Sequence, residues 1–273
     1  MFVNKVMHHK KSHMKYFIYI LFIISNFSIA TAQEIPKEQI LEHGINSITS
    51  INPDEKKSII YFNSRGLKIK EGEIKDEVFQ ISKEYFYNEK GQLVQEKKFS
   101  PKGLISSGTE FYYSKDGKLT KSEFYYSFSD KEKTEPDVIC TFEYNSESLL
   151  IKEVKKSETS GNSITTYLYD EDGKLILEKV TNDKIGKEKK SIYKYDKEGL
   201  LSQKKTTYFF SNTKMSETYS YDDNKQLISL KETSSNGLWS LTTYHYDEKG
   251  LLTSFSWQNS MDKDTYITKY FFK

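Results

Sequence analysis

The sequence predicts an all-β protein in which tandem β-hairpins form a long, curved antiparallel meander sheet, open or partly closed. A nine-residue pattern recurs along the chain: aromatic, any residue, aromatic, a turn-forming residue, two variable residues, Gly, one residue, Leu. Successive copies are 25 or 26 residues apart, with one step of 31. The chain is also rich in Tyr (21) and Phe (17) and contains only 4 Pro. A fixed period of this length indicates a repeat architecture, and aromatic residues favour strands.

The first 32 residues are predicted to be a signal peptide. A basic start at Met14–Lys15 precedes the apolar run 16–30, and Ala30-Thr31-Ala32 provides a small-x-small cleavage site. The apolar run is too short to predict a stable membrane span after signal cleavage. We therefore expect an exported protein, either periplasmic, on the cell surface or extracellular. An uncleaved N-terminal anchor is the alternative, and Met1 and Met14 both remain candidate start sites.

The charge of the mature chain argues against nucleic-acid binding. The whole chain has 41 Lys+Arg and 39 Asp+Glu. Removing the four lysines of residues 1–32 leaves 37 basic residues against 39 acidic ones. Only Arg65 among the basic residues is an arginine, the side chain best suited to guanine and phosphate.

Residues 33–58 are interpreted as an N-terminal capping segment. The stretch IPKEQILEHG, which starts at Ile35, has helical spacing and ends in Gly44, so it predicts a short helix. Residues 59–273 are interpreted as an array of about eight 25–26-residue hairpin repeats, hence about sixteen strands. TYITKYFFK, from Thr265, predicts a closing strand.

Each copy of the pattern predicts one hairpin. Its two aromatics share a face because residues i and i+2 of a strand point the same way. The Asp, Asn or Ser that follows can accept hydrogen bonds from amides of the turn. The second aromatics are Phe62, Tyr87, Tyr113, Tyr144, Tyr169, Tyr195, Tyr221 and Tyr246. A Leu six residues later in the last seven copies is expected to begin the returning strand.

The glycine of the pattern fits the left-handed position of a type I turn with a G1 bulge. The turn glycines are Gly66, Gly91, Gly117, Gly173, Gly199 and Gly250. Ser148 and Lys225 occupy this position in the other two copies, so those two turns are expected to be strained or rearranged.

The repeat unit, read as YLYDEDGKL from Tyr167 or YKYDKEGLL from Tyr193, resembles the YD repeat of RHS-type proteins. The resemblance extends over nearly all of residues 60–272. It implies a secreted or surface-displayed curved β-sheet shell. The unit is longer than the usual family repeat, and no RHS-core signature follows it. A looser resemblance is to MORN-like hairpin repeats.

Residues that commonly carry catalysis or bind metals are scarce. The mature chain has two histidines, His43 and His245, and one cysteine, Cys140. Acid–base and nucleophilic catalysis need positioned partners, so we predict a non-enzymatic protein with no catalytic residue, no metal and no cofactor. Turn carboxylates such as Asp170 and Asp172 are interpreted as turn caps rather than calcium ligands, because a short hairpin turn offers too few oxygens.

The candidate binding residues are Trp239, Phe255 and Trp257. Simple alternation sends both tryptophans to the face opposite the aromatic pairs, where together with Phe255 they would form an exposed patch for a glycan or protein partner. The alternative is that they pack as an end cap beneath the C-terminal strand.

These observations favour an exported binding or structural module with an unknown protein or glycan partner. An outer-membrane β-barrel is the first alternative, since alternating strands follow a signal peptide, although the Lys-rich segments QEKKF and SQKKT oppose a lipid-facing band. A glycan-active enzyme is the second alternative.

Overall fold

A computed structural model describes residues 35–126, 135–262 and 264–273. The predicted signal peptide lies outside these residues, as does most of the insertion that lengthens one repeat step. Among the described residues, no helix is long and apolar enough to cross a membrane.

The chain forms a short helix followed by strands that each span five to ten residues. The helix is α1 (Lys37–Glu42), which confirms the predicted N-terminal helix. The strands are β1 (Ser47–Ile51), β2 (Lys57–Phe62), β3 (Lys68–Lys75), β4 (Val78–Tyr87), β5 (Leu93–Phe99), β6 (Ile105–Tyr113), β7 (Leu119–Tyr125), β8 (Val138–Tyr144), β9 (Leu150–Ser157), β10 (Ser163–Tyr169), β11 (Leu175–Asn182), β12 (Gly186–Tyr195), β13 (Leu201–Tyr208), β14 (Thr213–Tyr221), β15 (Leu227–Ser234), β16 (Trp239–Tyr246), β17 (Leu252–Asn259) and β18 (Tyr266–Phe272).

All eighteen strands belong to one antiparallel sheet that closes into a β-barrel. The eight repeats supply the hairpins β2–β3 to β16–β17, and β18 is the predicted closing strand. The expectation of an open or partly closed sheet is wrong, because β1 pairs with both β2 and β18. Ile48, for example, lies between Ile60 and Phe272. At about 4.8 Å per strand, the barrel is at least about 27 Å across, and the tilt of its strands widens it further.

The repeat turns have the geometry that their sequence predicts. In one copy, Oδ1 of Asp170 accepts hydrogen bonds from the amides of Asp172 and Lys174, and the Gly173 amide donates to the Asp170 carbonyl. Gly173 has φ of 74°, while Ser148 and Lys225 have φ of 67° and 63°. The two non-glycine copies therefore keep the turn and carry its left-handed backbone strain.

A register shift beside each turn changes which residues share a face. In the copy around Tyr169, Leu168 pairs with Leu177 but Tyr169 pairs with Leu175, so one extra residue is accommodated in the returning strand. Because the side-chain period of a strand is two, this bulge reverses the alternation of the returning strand relative to its start.

One face of the sheet lines the inside of the barrel and carries both aromatics of each copy. In β14, Glu217 is buried and Tyr219 and Tyr221 are half-buried on this face, whereas Thr218 and Ser220 are exposed on the other. We call these the inner face and the outer face.

From the second copy onward, the second aromatic is a tyrosine that hydrogen-bonds to the preceding copy. Its hydroxyl donates to the backbone carbonyl of the residue that begins the returning strand of that copy, for example Tyr195 to Leu175 at 2.9 Å. At this end, backbone pairing between β11 and β12 begins at Leu177 and Ile192. The Leu175 carbonyl lies outside that pairing, and the tyrosine hydroxyl bonds to it instead. The seven donors, at 2.7–3.0 Å, are Tyr87, Tyr113, Tyr144, Tyr169, Tyr195, Tyr221 and Tyr246.

The two ends of the barrel are different. At the turn end, where the repeat turns lie, α1 packs over the first and last copies: Ile40 clusters with Ile48 and Leu251, and Gln39 donates to the Gly250 carbonyl at 3.5 Å. At the opposite, inter-repeat end, loops connect one copy to the next.

Candidate functional site

The inner face carries a recurring row of polar residues beside the first aromatic of each copy. Position nine after the second aromatic is the direct cross-strand partner of the first aromatic, as in Tyr85 with Glu96 and Tyr167 with Glu178. This row contains Glu71, Glu96, Ser122, Glu153, Glu178, Lys204, Leu230 and Phe255. We call this row, together with the first aromatics and the inner-face residues bonded to them, the inner belt.

The middle of the inner belt is a chain of charged and hydroxyl side chains. Glu178 accepts a hydrogen bond from the Tyr193 hydroxyl at 2.8 Å and pairs with Lys189 at 2.7 Å. On the next strands, Lys204 pairs with Glu217 at 3.0 Å. The side chains of Lys204 and Glu217 are only 11% and 9% exposed, so this pair is largely removed from water.

Two carboxylates meet further along the same belt. Glu217 and Glu232 are cross-strand partners, and both residues are buried. Glu217 also accepts a hydrogen bond from the Tyr219 hydroxyl, and Glu232 accepts one from the Ser240 hydroxyl at 2.7 Å. Each carboxylate is therefore held by a hydroxyl donor on the inner face.

A second charged group lies near the start of the array. Glu71 is within 2.9 Å of Lys68 and 2.8 Å of Lys83, and Lys68 also lies over the Tyr85 ring. Burial raises the pKa of Glu71, but the hydrogen bonds and charges of Lys83 and Lys68 outweigh it, so the net pKa lies below its usual value.

The belt tyrosines stay protonated far into the alkaline range. Burial, followed by the negative charge of a neighbouring glutamate, raises the pKa of Tyr193 beside Glu178 and that of Tyr219 beside Glu217 well above the ordinary value. Burial alone raises the pKa of Tyr270 to about 12. These hydroxyls are consequently available as neutral hydrogen-bond donors and acceptors at physiological pH.

The last copies make the belt apolar. Leu230, Tyr244 and Leu252 form a buried cluster against Phe255 and Tyr270. The inner face thus changes from a charged sector that extends to Glu232 on β15 to an aromatic and aliphatic sector at β16–β18, and offers both ring faces and polar groups.

The structure separates the three candidate binding residues. Trp239 is 41% exposed on the outer face, whereas Phe255 packs against Tyr244 on the inner face and Trp257 is paired with Thr242 there. The expected shared patch is wrong because the bulge between His245 and Tyr246 reverses the alternation of β17.

Each tryptophan has its own surroundings. Trp257 contacts Tyr266 with ring centroids 5.6 Å apart. Trp239 lines an outer groove of about 450 Å³ together with Lys231 and Leu241.

The remaining reactive residues lie apart from one another. His245 is exposed on the outer face. Cys140 is partly buried on the inner face, and burial followed by the charge of Glu153 raises the pKa of its thiol. No group of three or more His, Cys, Asp or Glu suited to a metal ion occurs within the described ranges.

The inner belt was not found from the sequence, although a signal for it exists. Glu recurs nine residues after the second aromatic in Glu71, Glu96, Glu153 and Glu178. Strict alternation assigns that row to the outer face, and only the bulge at each turn brings it inside.

Comparison with known proteins gives distant similarities. No protein-family model matches the chain, and no curated protein matches it. The crystal structure of TcdB2-TccC3-Cdc42 is similar over 79% of this chain at 14% identity, with a TM-score of 0.35. The chain spans 15% of the length of that protein.

Two porin-like proteins are similar over their whole length. The one from Bacteroides uniformis has 11% identity and a TM-score of 0.46, covering 84% of this chain and 96% of its own. The one from Bacteroides vulgatus has 11% identity and a TM-score of 0.35, covering 84% and 98%. At these scores the similarities assign neither a family nor a function.

Proposed function

We propose that the chain is an exported cell-envelope β-barrel that binds a neutral, hydroxyl-rich ligand, such as a glycan, on its inner belt. Ring faces and paired carboxylate and ammonium groups are the features that recognise sugars: rings contact the apolar faces of the sugar, and charged groups bond its hydroxyls. Lysines accompany the glutamates of the belt, so the surface does not favour a strongly charged ligand. The relationship to YD-repeat proteins is part of the same proposal and is supported by the repeat unit.

The proposal depends chiefly on two ion pairs of the inner belt, the buried pair Lys204–Glu217 and the largely buried pair Lys189–Glu178. Removing two charges from water costs about as much as their attraction returns, so well-packed apolar residues would stabilise such positions at least as well. A barrel that only needed a core would gain little from these residues. Their placement supports a recognition role.

A glycan array with the processed chain, followed by calorimetry on any positive glycan, tests the proposal. Glu178→Gln is expected to reduce affinity at least about tenfold, since it removes a charge-assisted hydrogen-bond acceptor from the belt. The matched control is Glu143→Gln, which alters an outer-face carboxylate paired with Lys152 at 2.8 Å and should leave affinity unchanged. An array without any bound glycan, or equal losses in both variants, would refute the proposal.

Assay of the bound glycans for cleavage addresses the enzyme alternative. We propose binding without turnover, so each glycan should be recovered intact. Released reducing ends that disappear in Glu217→Gln would instead favour a glycan-active enzyme that uses the Glu217 and Glu232 carboxylates.

An outer-membrane β-barrel is the second candidate, and closure of the sheet favours it over the open binding surface expected from the sequence. A membrane barrel needs a continuous apolar outer band. The exposed outer face of β11, β13 and β15 instead presents Lys179, Lys205 and Lys231, and a lysine facing lipid costs about 2–4 kcal/mol at the midplane. The lysines support the aqueous placement; extraction of the protein from membranes only with detergent would support the spanning one.

A further inference from the structure

The two ends of the barrel have opposite surface chemistry, which the inner belt does not explain. The tips of the repeat turns are charged or polar, as in Glu89-Lys90, Glu171-Asp172 and Glu248-Lys249. At the inter-repeat end, large apolar side chains project from or beside six of the described connections. Phe210 is 86% exposed, Leu104 68% and Val78 62%.

These apolar side chains lie on two arcs of that end, and none comes from the described connections β1–β2 and β9–β10. They lie in, or at the first strand residue after, the connections β3–β4, β5–β6, β11–β12, β13–β14, β15–β16 and β17–β18, and we call them the apolar rim. Its members are Val78, Leu104, Ile185, Phe209, Phe210, Trp239 and Met261, each at least 41% exposed. Together they expose on the order of 800 Å² of side chain, taking about 200 Å² for each large residue. Burial of that area against an apolar phase would be favourable.

We propose that the apolar rim docks the barrel, end-on, onto the surface of a lipid bilayer. Adjacent connections at this end are two strands apart, so the tips from β11–β12 to β17–β18 recur at intervals of about 10 Å, and those of β3–β4 and β5–β6 form a second such group. Polar residues flank each tip, for example Ser211 and Asn212 after Phe210, and Ser235 and Asn236 before Trp239. Separate apolar side chains of this kind can each insert independently at the boundary between the lipid headgroups and the acyl chains.

A protein partner would need a different surface. The core of a protein–protein interface is contiguous and close-packed, whereas the rim alternates apolar tips with polar residues along its two arcs. The connections also carry both signs of charge, such as Asp76 and Glu77 beside Lys75, and Asp183 beside Lys184. Docking is therefore expected to depend on apolar insertion and to need no anionic lipid.

Flotation with phosphatidylcholine vesicles tests this proposal directly. The processed chain, with its N-terminus read by mass spectrometry, is expected to float with the vesicles and to remain bound in 0.5 M salt. Leu104→Ser and Phe210→Ser each remove one tip, and each is expected to weaken partitioning at least about tenfold. Fluorescence in a Trp257→Phe background, where Trp239 is the reporter at the rim, is expected to shift to the blue on vesicle addition.

Matched controls remove exposed apolar side chains from the outer face instead of the rim. Leu168 is 53% exposed and Ile192 is 41% exposed on the side of the barrel, so Leu168→Ser and Ile192→Ser should float like the unmodified chain. Failure to float, or equal effects of rim and side variants, overturns the proposal. A dimer in sedimentation velocity that dissociates with the rim substitutions would assign the rim to a second copy instead and also overturn it.

Discussion

Removing one of the seven tyrosine hydroxyls that bond to the preceding copy should cost a measurable and predictable amount of stability. Tyr195→Phe keeps the ring on the inner face but deletes the 2.9 Å hydrogen bond to the Leu175 carbonyl. A bond of this kind contributes about 0.5–1.5 kcal/mol net. We expect a loss of about 1 kcal/mol, or roughly 0.4 M in the urea midpoint for a slope of about 2.5 kcal/mol/M.

Two other substitutions make this result specific. Tyr61→Phe retains the outer-face ring contacts of Tyr61 with Phe79 and Lys70, and should change the midpoint by less than about half as much. Phe62→Tyr adds a hydroxyl in the first copy, which follows no earlier repeat and packs against the α1 cluster, so it should destabilise. If Tyr195→Phe costs no more than Tyr61→Phe, the tyrosine hydroxyls do not stabilise the contact between successive copies.

Three further predictions concern the turn, the buried ion pair and pH. Lys225→Gly should stabilise the chain by about 1 kcal/mol in the urea assay, because a non-glycine residue at φ 63° carries left-handed strain; Gly173→Ala should have the opposite sign, and matching signs would contradict the turn assignment. Lys204→Met should lower the free energy of unfolding by about 3–5 kcal/mol, because it leaves the buried Glu217 carboxylate without its lysine. The double variant Lys204→Met/Glu217→Leu should recover most of that loss. A double variant no more stable than Lys204→Met alone would contradict this prediction. Because the pKa of Glu71 is lowered in the folded state, its stabilising contribution is present above the unfolded-state pKa of 4.5 and is lost as pH falls through the folded-state pKa. Urea titrations from pH 7 to pH 2 should therefore show that the difference in stability between the unmodified chain and Glu71→Gln disappears in acid. A difference independent of pH would count against the pairing of Glu71 with Lys68 and Lys83.

The hairpins could be predicted from the sequence because their determinants are local. An Asp at the turn, such as Asp170, and a glycine such as Gly173 specify one connection within a few residues. Eight such connections at a fixed period then determine the order of the strands. The helix around Ile40 was also predictable, from its spacing and the Gly44 that follows.

Closure of the sheet could not be predicted in this way. It depends on β1 (Ser47–Ile51), a five-residue strand outside the repeat, and on its pairing with β18 some 220 residues later. Nothing local in SITSI identifies its partners. The sequence therefore predicted the repeat but not the ring.

The inner belt was missed for a different reason. Alternation correctly placed both aromatics of a copy on one face, but the bulge beside each turn reverses the parity of the returning strand. The same reversal moved Trp257 to the inner face and left Trp239 outside. A rule that included the bulge would have assigned Glu178 and its equivalents to the inside.

The most direct test of the central claim is whether β1 and β18 are neighbours, since an enclosed inner face exists only if they pair. In a Cys140→Ser background, the double variant Thr49→Cys/Phe271→Cys places cysteines at directly opposed positions, within reach of a disulfide. Thr49→Cys/Ile267→Cys offsets them by four residues, or about 13 Å. Mild oxidation followed by non-reducing electrophoresis and peptide mapping should give an intramolecular link in the first variant alone. No link, or a link in both variants, would contradict the closed barrel.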